Sequence, residues 1–157
     1  MNPVDLAHYK EAVGHFPTGV AVVTGSTTDG PAGFTCQTFG SLSLEPTLVS
    51  FGANNSGKSW SRLRGVEVLG VSVLAQDQEV TARVFATRGI EKFSGVGWSA
   101  APGGSPLIDG AIVHLEGRVL NVVTHGDHDL VVMSVEFAAT HPGRPLVYYR
   151  GGYNCLA

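Results

Sequence analysis

Charge is scarce in this 157-residue chain: 15 % of residues are Asp, Glu, Lys or Arg, against 43 % apolar. Ten basic residues face thirteen acidic ones, for a formal charge of −3. A nucleic-acid binder would carry a basic face, and this balance argues against one. Cysteine is nearly absent. Cys36 and Cys155 fit no metal-ligand spacing, and two cysteines make no disulfide framework. No apolar run reaches the roughly 18 residues of a membrane span. The start, MNPVDLAHYKEAV, lacks the basic-then-apolar signal of a secreted chain, so the expected location is cytoplasmic. Repeated strand–helix alternation is missing, which argues against a parallel sheet. No catalytic triad is evident, and no internal repeat or linker divides the chain.

What is present suggests one domain, able to bury about 68–70 % of its unfolded surface. Asn2-Pro3 reads as a helix start, and Val4, Leu6, Ala7, Ala12 and Val13 give a helical stripe over about 3–13 that Gly14 ends. From about 16 to 153 the chain is strand-rich. Gly19 to Thr24 is a β-rich run, and Thr27-Thr28-Asp29-Gly30 is a hairpin signal. Gly33 to Thr38 forms the next strand, in which Gly33, with Gly40 just beyond, leaves room for a ligand or a bulge. Thr47 to Phe51 and the apolar Val66 to Leu74 follow as strands. Val80, Val84 and Phe85 lie at helical spacing within Gln76 to Ala86. Gly89 to Gly104 reads as a loop, and its Gly95-Val96-Gly97 is no dinucleotide fingerprint. Ala111 to Val123 and Leu130 to Phe137 alternate as paired strands around a Gly126-Asp127 turn, and Pro145 to Arg150 is the last strand. Six or seven strands at hairpin spacing with two or three short helices predict a mainly β fold, an antiparallel barrel.

The chain is organised around Phe34 to Trp60. Gly52 to Ser59 fits the phosphate-loop pattern G-x-x-x-x-G-K-[ST] letter for letter after a strand-like run. Main-chain N–H groups, a Lys and a hydroxyl there attract an anion without specifying which. A nucleotide triphosphatase is disfavoured. The helix after Ser59 can run only to about Arg64, and Leu107-Ile108, before the best Mg²⁺-binding candidate Asp109, is too short for a buried strand. His125 and His128 with Asp127 and Asp129 suggest a metal site only weakly, because a turn does not aim them at one centre.

In order and spacing, five runs resemble the flavin reductase-like family, whose fold is the FMN-binding split barrel, an antiparallel Greek-key barrel. They are Phe16 to Thr24, Ser41 to Pro46, Lys58-Ser59-Trp60, Gly126-Asp127-His128 and Tyr148 to Gly151. The Gly33 to Thr38 run looks most like reductase components that serve monooxygenases. The resemblance implies a homodimer that reduces FMN or FAD with NADH or NADPH and passes reduced flavin to a transient monooxygenase partner. By position it assigns Thr35, Cys36, Gln37, Thr38 and Ser41 to the ring and ribityl chain. It assigns Ser56, Gly57, Lys58 and Ser59 to the flavin phosphate, with Phe85, Ala86 and Phe93 bordering the site. His128, with Tyr149 and Arg150, would face the nicotinamide, and His128 is the one catalytic candidate. The chain departs from many relatives at Gln37, Thr38, Gly57 and Gly152, which leaves FMN against FAD open. In such chemistry the cofactors carry the hydride and the protein supplies position and electrostatics. A flavin-binding module without reductase activity is the alternative reading. Trp60, Phe93 and Trp98 read as core before flavin-stacking residues, and Cys36 as a small buried filler.

Overall fold

Tight turns between β-rich segments set the architecture. The computed structural model describes residues 2–157. Helix α1 (Leu6–Gly14) is followed by β1 (Thr18–Gly19), β2 (Ala21–Thr27), β3 (Gly30–Cys36), β4 (Gly40–Leu44) and β5 (Thr47–Asn54). Helix α2 (Lys58–Leu63), β6 (Val68–Val73) and helix α3 (Glu79–Ala86) come next. The short strands β7 (Trp98–Ala100) and β8 (Pro106–Ile108) precede the long pair β9 (Val113–His125) and β10 (His128–Thr140), and β11 (Leu146–Tyr149) and β12 (Gly152–Cys155) close the chain.

Seven strands form one sheet in the order β3-β2-β6-β9-β10-β5-β4, every neighbouring pair antiparallel. Side chains, not a ladder, join the end of this sheet back to β5. The Thr38 hydroxyl, just past β3, accepts the Gly52 N–H at 2.8 Å and lies 3.3 Å from the Gly52 carbonyl. A Cβ at Gly52 would meet that hydroxyl at 3.2 Å, so glycine permits the close approach. This is an antiparallel Greek-key split barrel. Strands β1, β11 and β12 make a separate three-stranded sheet. Burial follows the two-residue strand period: Val49, Phe51 and Ala53 of β5 point inward beside Trp60, Leu63, Val131 and Met133. A second cluster joins Val20, Val22, Leu74, Phe85 and Ile108.

Several expectations are corrected. Helix α1 starts three residues later than Asn2-Pro3 suggests, because the Asp5 carboxylate accepts the His8 N–H at 3.0 Å and caps it. Helix α3 turns Ala82 and Phe85 inward, leaving Val80 74 % exposed. Within the segment read as a loop, Trp98 to Ala100 pair with Pro106 to Ile108. That second strand is buried despite its length, since the Thr24 hydroxyl donates to the Pro106 carbonyl and Ser72 Oγ accepts the Ile108 N–H at 2.9 Å. The phosphate-loop pattern sits between antiparallel strands and opens a helix of six residues, without the parallel strand–helix units of a triphosphatase.

Candidate functional site

Strand β3 pairs only with β2, so one of its edges is open. Which residues face that edge follows from three observations. Pro31 has no N–H for a ladder. The Gly33 carbonyl accepts from Lys92 Nζ at 3.2 Å instead of from a strand. The residues between them, Ala32 and Phe34, sit opposite Gly25 and Val23 in the same register as the closing pair Thr27 and Gly30. Alternation then turns the main-chain groups of Gly33 and Thr35 outward.

That edge is one wall of a cleft of about 520 Å³. Thr35 to Thr38, Gly52, Asn54 and His128 line one end. Toward the other end Ser59 and Lys92 meet β3 at Gly33 and Arg62 bonds at the β2–β3 turn, while Lys58, Arg88, Phe85, Ala86 and Phe93 complete the lining. The threonine hydroxyls at the first end are committed to the fold, with Thr38 bonded to Gly52. The Thr35 hydroxyl donates to the Ala82 carbonyl at 2.6 Å, tying β3 to α3. Cys36 is buried, which pushes its thiol pKa up and suits a filler better than a reactive thiol. This end therefore offers mainly the outward backbone of β3 and the Gln37 amide.

The other end is cationic. Four of the ten Lys and Arg residues line the cleft, and among the described residues none of Lys58, Arg62, Arg88 and Lys92 is paired with a carboxylate. Half-buried Lys92 spends its ammonium on the Gly33 carbonyl, Ser59 Oγ (3.0 Å) and the Phe85 carbonyl (2.8 Å), clasping β3, α2 and α3 together. Burial pulls its pKa down. Helix α2 is pinned from beneath by Asp129, whose carboxylate accepts Trp60 Nε1–H at 2.8 Å, the Thr124 hydroxyl at 2.7 Å and Arg64 Nε–H at 2.9 Å. The hydrogen bonds from Trp60 and then Thr124 hold that carboxyl below its usual range.

His128 starts β10 beside a turn whose Gly126 has φ 62°. Its Nδ1 lies 2.8 Å from the Asp127 carboxylate, whose pKa the contact lowers, and this leaves Nε2 as the unengaged ring nitrogen. Of the residues read from the sequence, Ser41, Ser56, Tyr149 and Arg150 lie outside the cleft lining. Ser41 is exposed on edge strand β4 beside a bulge. Ser56 gives both its N–H and its hydroxyl to Asn54 Oδ1, at 2.9 and 2.7 Å. Tyr149 and Arg150 belong to the β11–β12 turn on the smaller sheet, where the Arg150 N–H donates to the Gly14 carbonyl. Lys92, Arg62 and Arg88 were missed. No motif marks them.

A split antiparallel barrel with a polar strand edge and unpaired cations lining one cleft has the groups that a planar ligand bearing a phosphate requires. The flavin reductase like domain family model matches residues 13–157. The chain is 35 % identical over 151 residues to the reductase subunit HsaB of a flavin-dependent monooxygenase from Rhodococcus jostii, covering 96 % of this chain and 77 % of that one. The solved structure of the Streptomyces globisporus NADH:FAD oxidoreductase SgcE6 with NAD and FAD fragments superposes with a TM-score of 0.93 at 34 % identity, covering 100 % of this chain and 96 % of that one. Nitrilotriacetate monooxygenase component B from Mycobacterium thermoresistibile gives 0.92 at 34 % identity, covering 96 % and 86 %. The chain belongs to the flavin reductase-like family.

Proposed function

We propose that this chain is an NAD(P)H:flavin oxidoreductase that reduces FMN or FAD and supplies the reduced flavin to a partner monooxygenase. The observation that carries the reading is the single cleft joining an open strand edge to unpaired cations, in a chain of this family. The relatives named as reductase subunits or components of monooxygenases support the transfer of product to a second protein.

The residues present fit a flavin. The outward N–H of Thr35 and the Gln37 amide match the polar edge of a planar ring and stabilise negative charge developing there. Phe85, Ala86 and Phe93 exclude water alongside. Lys58 and Ser59 hold the phosphate, with Lys92 adding charge behind them. His128 orients the nicotinamide carboxamide through Nε2 at the mouth. Bound flavin and nicotinamide together supply hydride acceptor and donor, so no protein base is needed.

The 157 residues act as one unit, and the working form is a homodimer. Helix α1 buries none of its residues in the single chain, and Leu6, Tyr9 and Val13 are 65, 52 and 49 % exposed. An apolar stripe of this kind calls for cover. Light scattering on the purified protein tests that. Mixing protein, NADH and flavin and following NADH absorbance tests the activity: flavin-dependent consumption is expected, and none with either FMN or FAD would overturn the reading.

A further inference from the structure

The cleft does not stop where a single phosphate would. Ser59 and Lys92 cross β3 at the level of Gly33. Farther along β3 the lining includes Pro31 and Arg62, which bonds at the β2–β3 turn, and Arg88 and Ile90 line the same cleft. Along β3 the stretch from Cys36 to Pro31 is about 17 Å at roughly 3.3 Å per residue, and Pro31 lies two strand residues beyond Gly33. Two guanidinium groups and exposed apolar surface belong to this lining. Arg88 has no hydrogen-bond partner among the described residues, and Arg62 spends one nitrogen on Thr27 Oγ1 and the Asp29 and Gly30 carbonyls. Ile90 is 48 % exposed. The one acidic side chain in the lining, Glu91, accepts the Phe93 N–H at 3.0 Å.

A ligand ending in one phosphate would leave both arginines idle. Fork-shaped guanidinium donors suit a second phosphate, and an apolar flank beyond it suits a purine face. We propose that this chain selects FAD over FMN, with Arg62 and Arg88 binding the adenosine-side phosphate and Pro31 and Ile90 flanking the adenine. The proposal rests on the flavin reading above and adds the identity of the flavin. A nicotinamide dinucleotide carries the same adenosine diphosphate group. The assignment goes to flavin because Arg62 is bonded at the β2–β3 turn, farther along β3 than the Lys92–Ser59 pair at Gly33, whereas His128 pairs with Asn54 on β5.

Titration of the flavin-free protein with FAD and with FMN, read by quenching of flavin fluorescence, tests it without turnover. FAD is expected to bind at least about tenfold tighter, the value of one charge-assisted contact. Arg88→Ala, which removes a side chain with no partner in the fold, is expected to erase most of that gap. AMP is expected to displace FAD and leave FMN bound. Equal affinities for the two flavins, an Arg88→Ala loss shared equally by both, or AMP displacing neither would overturn the selectivity while leaving a flavin site. A weakened NAD⁺ affinity in Arg88→Ala with FAD affinity intact would give the arginines to the nicotinamide and overturn it as well. Binding of neither flavin would sink the flavin reading itself.

Discussion

The two ends of the cleft solve different problems. At the ring end the side-chain hydroxyls face inward: Thr35 is bonded to α3 and Thr38 to β5. Backbone is what remains for a ligand, fixed by a sheet and unable to rearrange. At the tail end the groups are long cations, and three of them, Lys58, Arg62 and Arg88, are exposed. Geometry comes from the first end and attraction from the second. Charge on exposed side chains is screened by salt and lets go readily, which suits a protein that must surrender its flavin to another. Asp129 links the two: it follows His128 on β10 and anchors α2 from beneath.

The largest effect is therefore expected at Asp129. Asp129→Ala strands the Trp60 indole N–H, the Thr124 hydroxyl and the Arg64 guanidinium around a buried site. Melting temperature should fall further than in any variant below, and flavin affinity should fall with it. Asp129→Asn isolates the charge. A carboxyl whose folded pKa is depressed contributes stability above its unfolded value, about 3.9, and loses it as pH falls through the lower folded value. The wild-type protein should thus lose stability below about pH 4 more steeply than the Asn variant. Superimposable acid limbs would show that Asp129 is not ionised in the fold.

Lys92→Met comes next. It keeps the aliphatic stem but leaves the Gly33 and Phe85 carbonyls and Ser59 Oγ without their donor. The site is half open to water, so a loss of roughly 1–2 kcal/mol is expected in urea unfolding, below the full value of a buried charged bond. Affinity for either flavin should drop by about 10–100-fold, because α2 and a positive charge are lost together. Lys58→Ala should weaken flavin binding by roughly tenfold and leave stability within about 0.5 kcal/mol, since no partner in the fold is lost. Unchanged flavin affinity in Lys58→Ala would remove Lys58 from the phosphate site.

The same contrast explains what could be read from the chain alone. Strands, the β9–β10 turn and the Lys58-Ser59 start of α2 were legible because period-2 burial and Gly-Asp and Gly-Lys-Ser signals are local. The ring end was legible as a segment, Thr35 to Thr38, but not as chemistry. Sequence suggested side chains, while the fold spends most of them on itself and offers main chain. The tail end was legible only at Lys58. Lys92 reaches the cleft from a stretch without regular structure, and its three partners lie 59, 33 and 7 residues away. Tyr149 and Arg150 form a strong local signal, and a sequence does not say which sheet a turn will join.

His128 offers the smallest and sharpest test of the division. It lines the neutral end, yet its exposed ring touches the fold mainly through Asp127. Its removal should spare both stability and the tail grip. His128→Ala should leave flavin affinity within about twofold while slowing flavin reduction by roughly tenfold, the value of one neutral hydrogen bond at the transition state. Asp127→Asn should have a weaker effect of the same sign, because it frees the imidazole to turn and to change tautomer without removing it. Stopped-flow reduction of the pre-formed flavin complex by NADH separates these steps. A His128→Ala protein that reduces its flavin at the wild-type rate but binds it tenfold more weakly would place the histidine in flavin binding and erase the difference between the two ends.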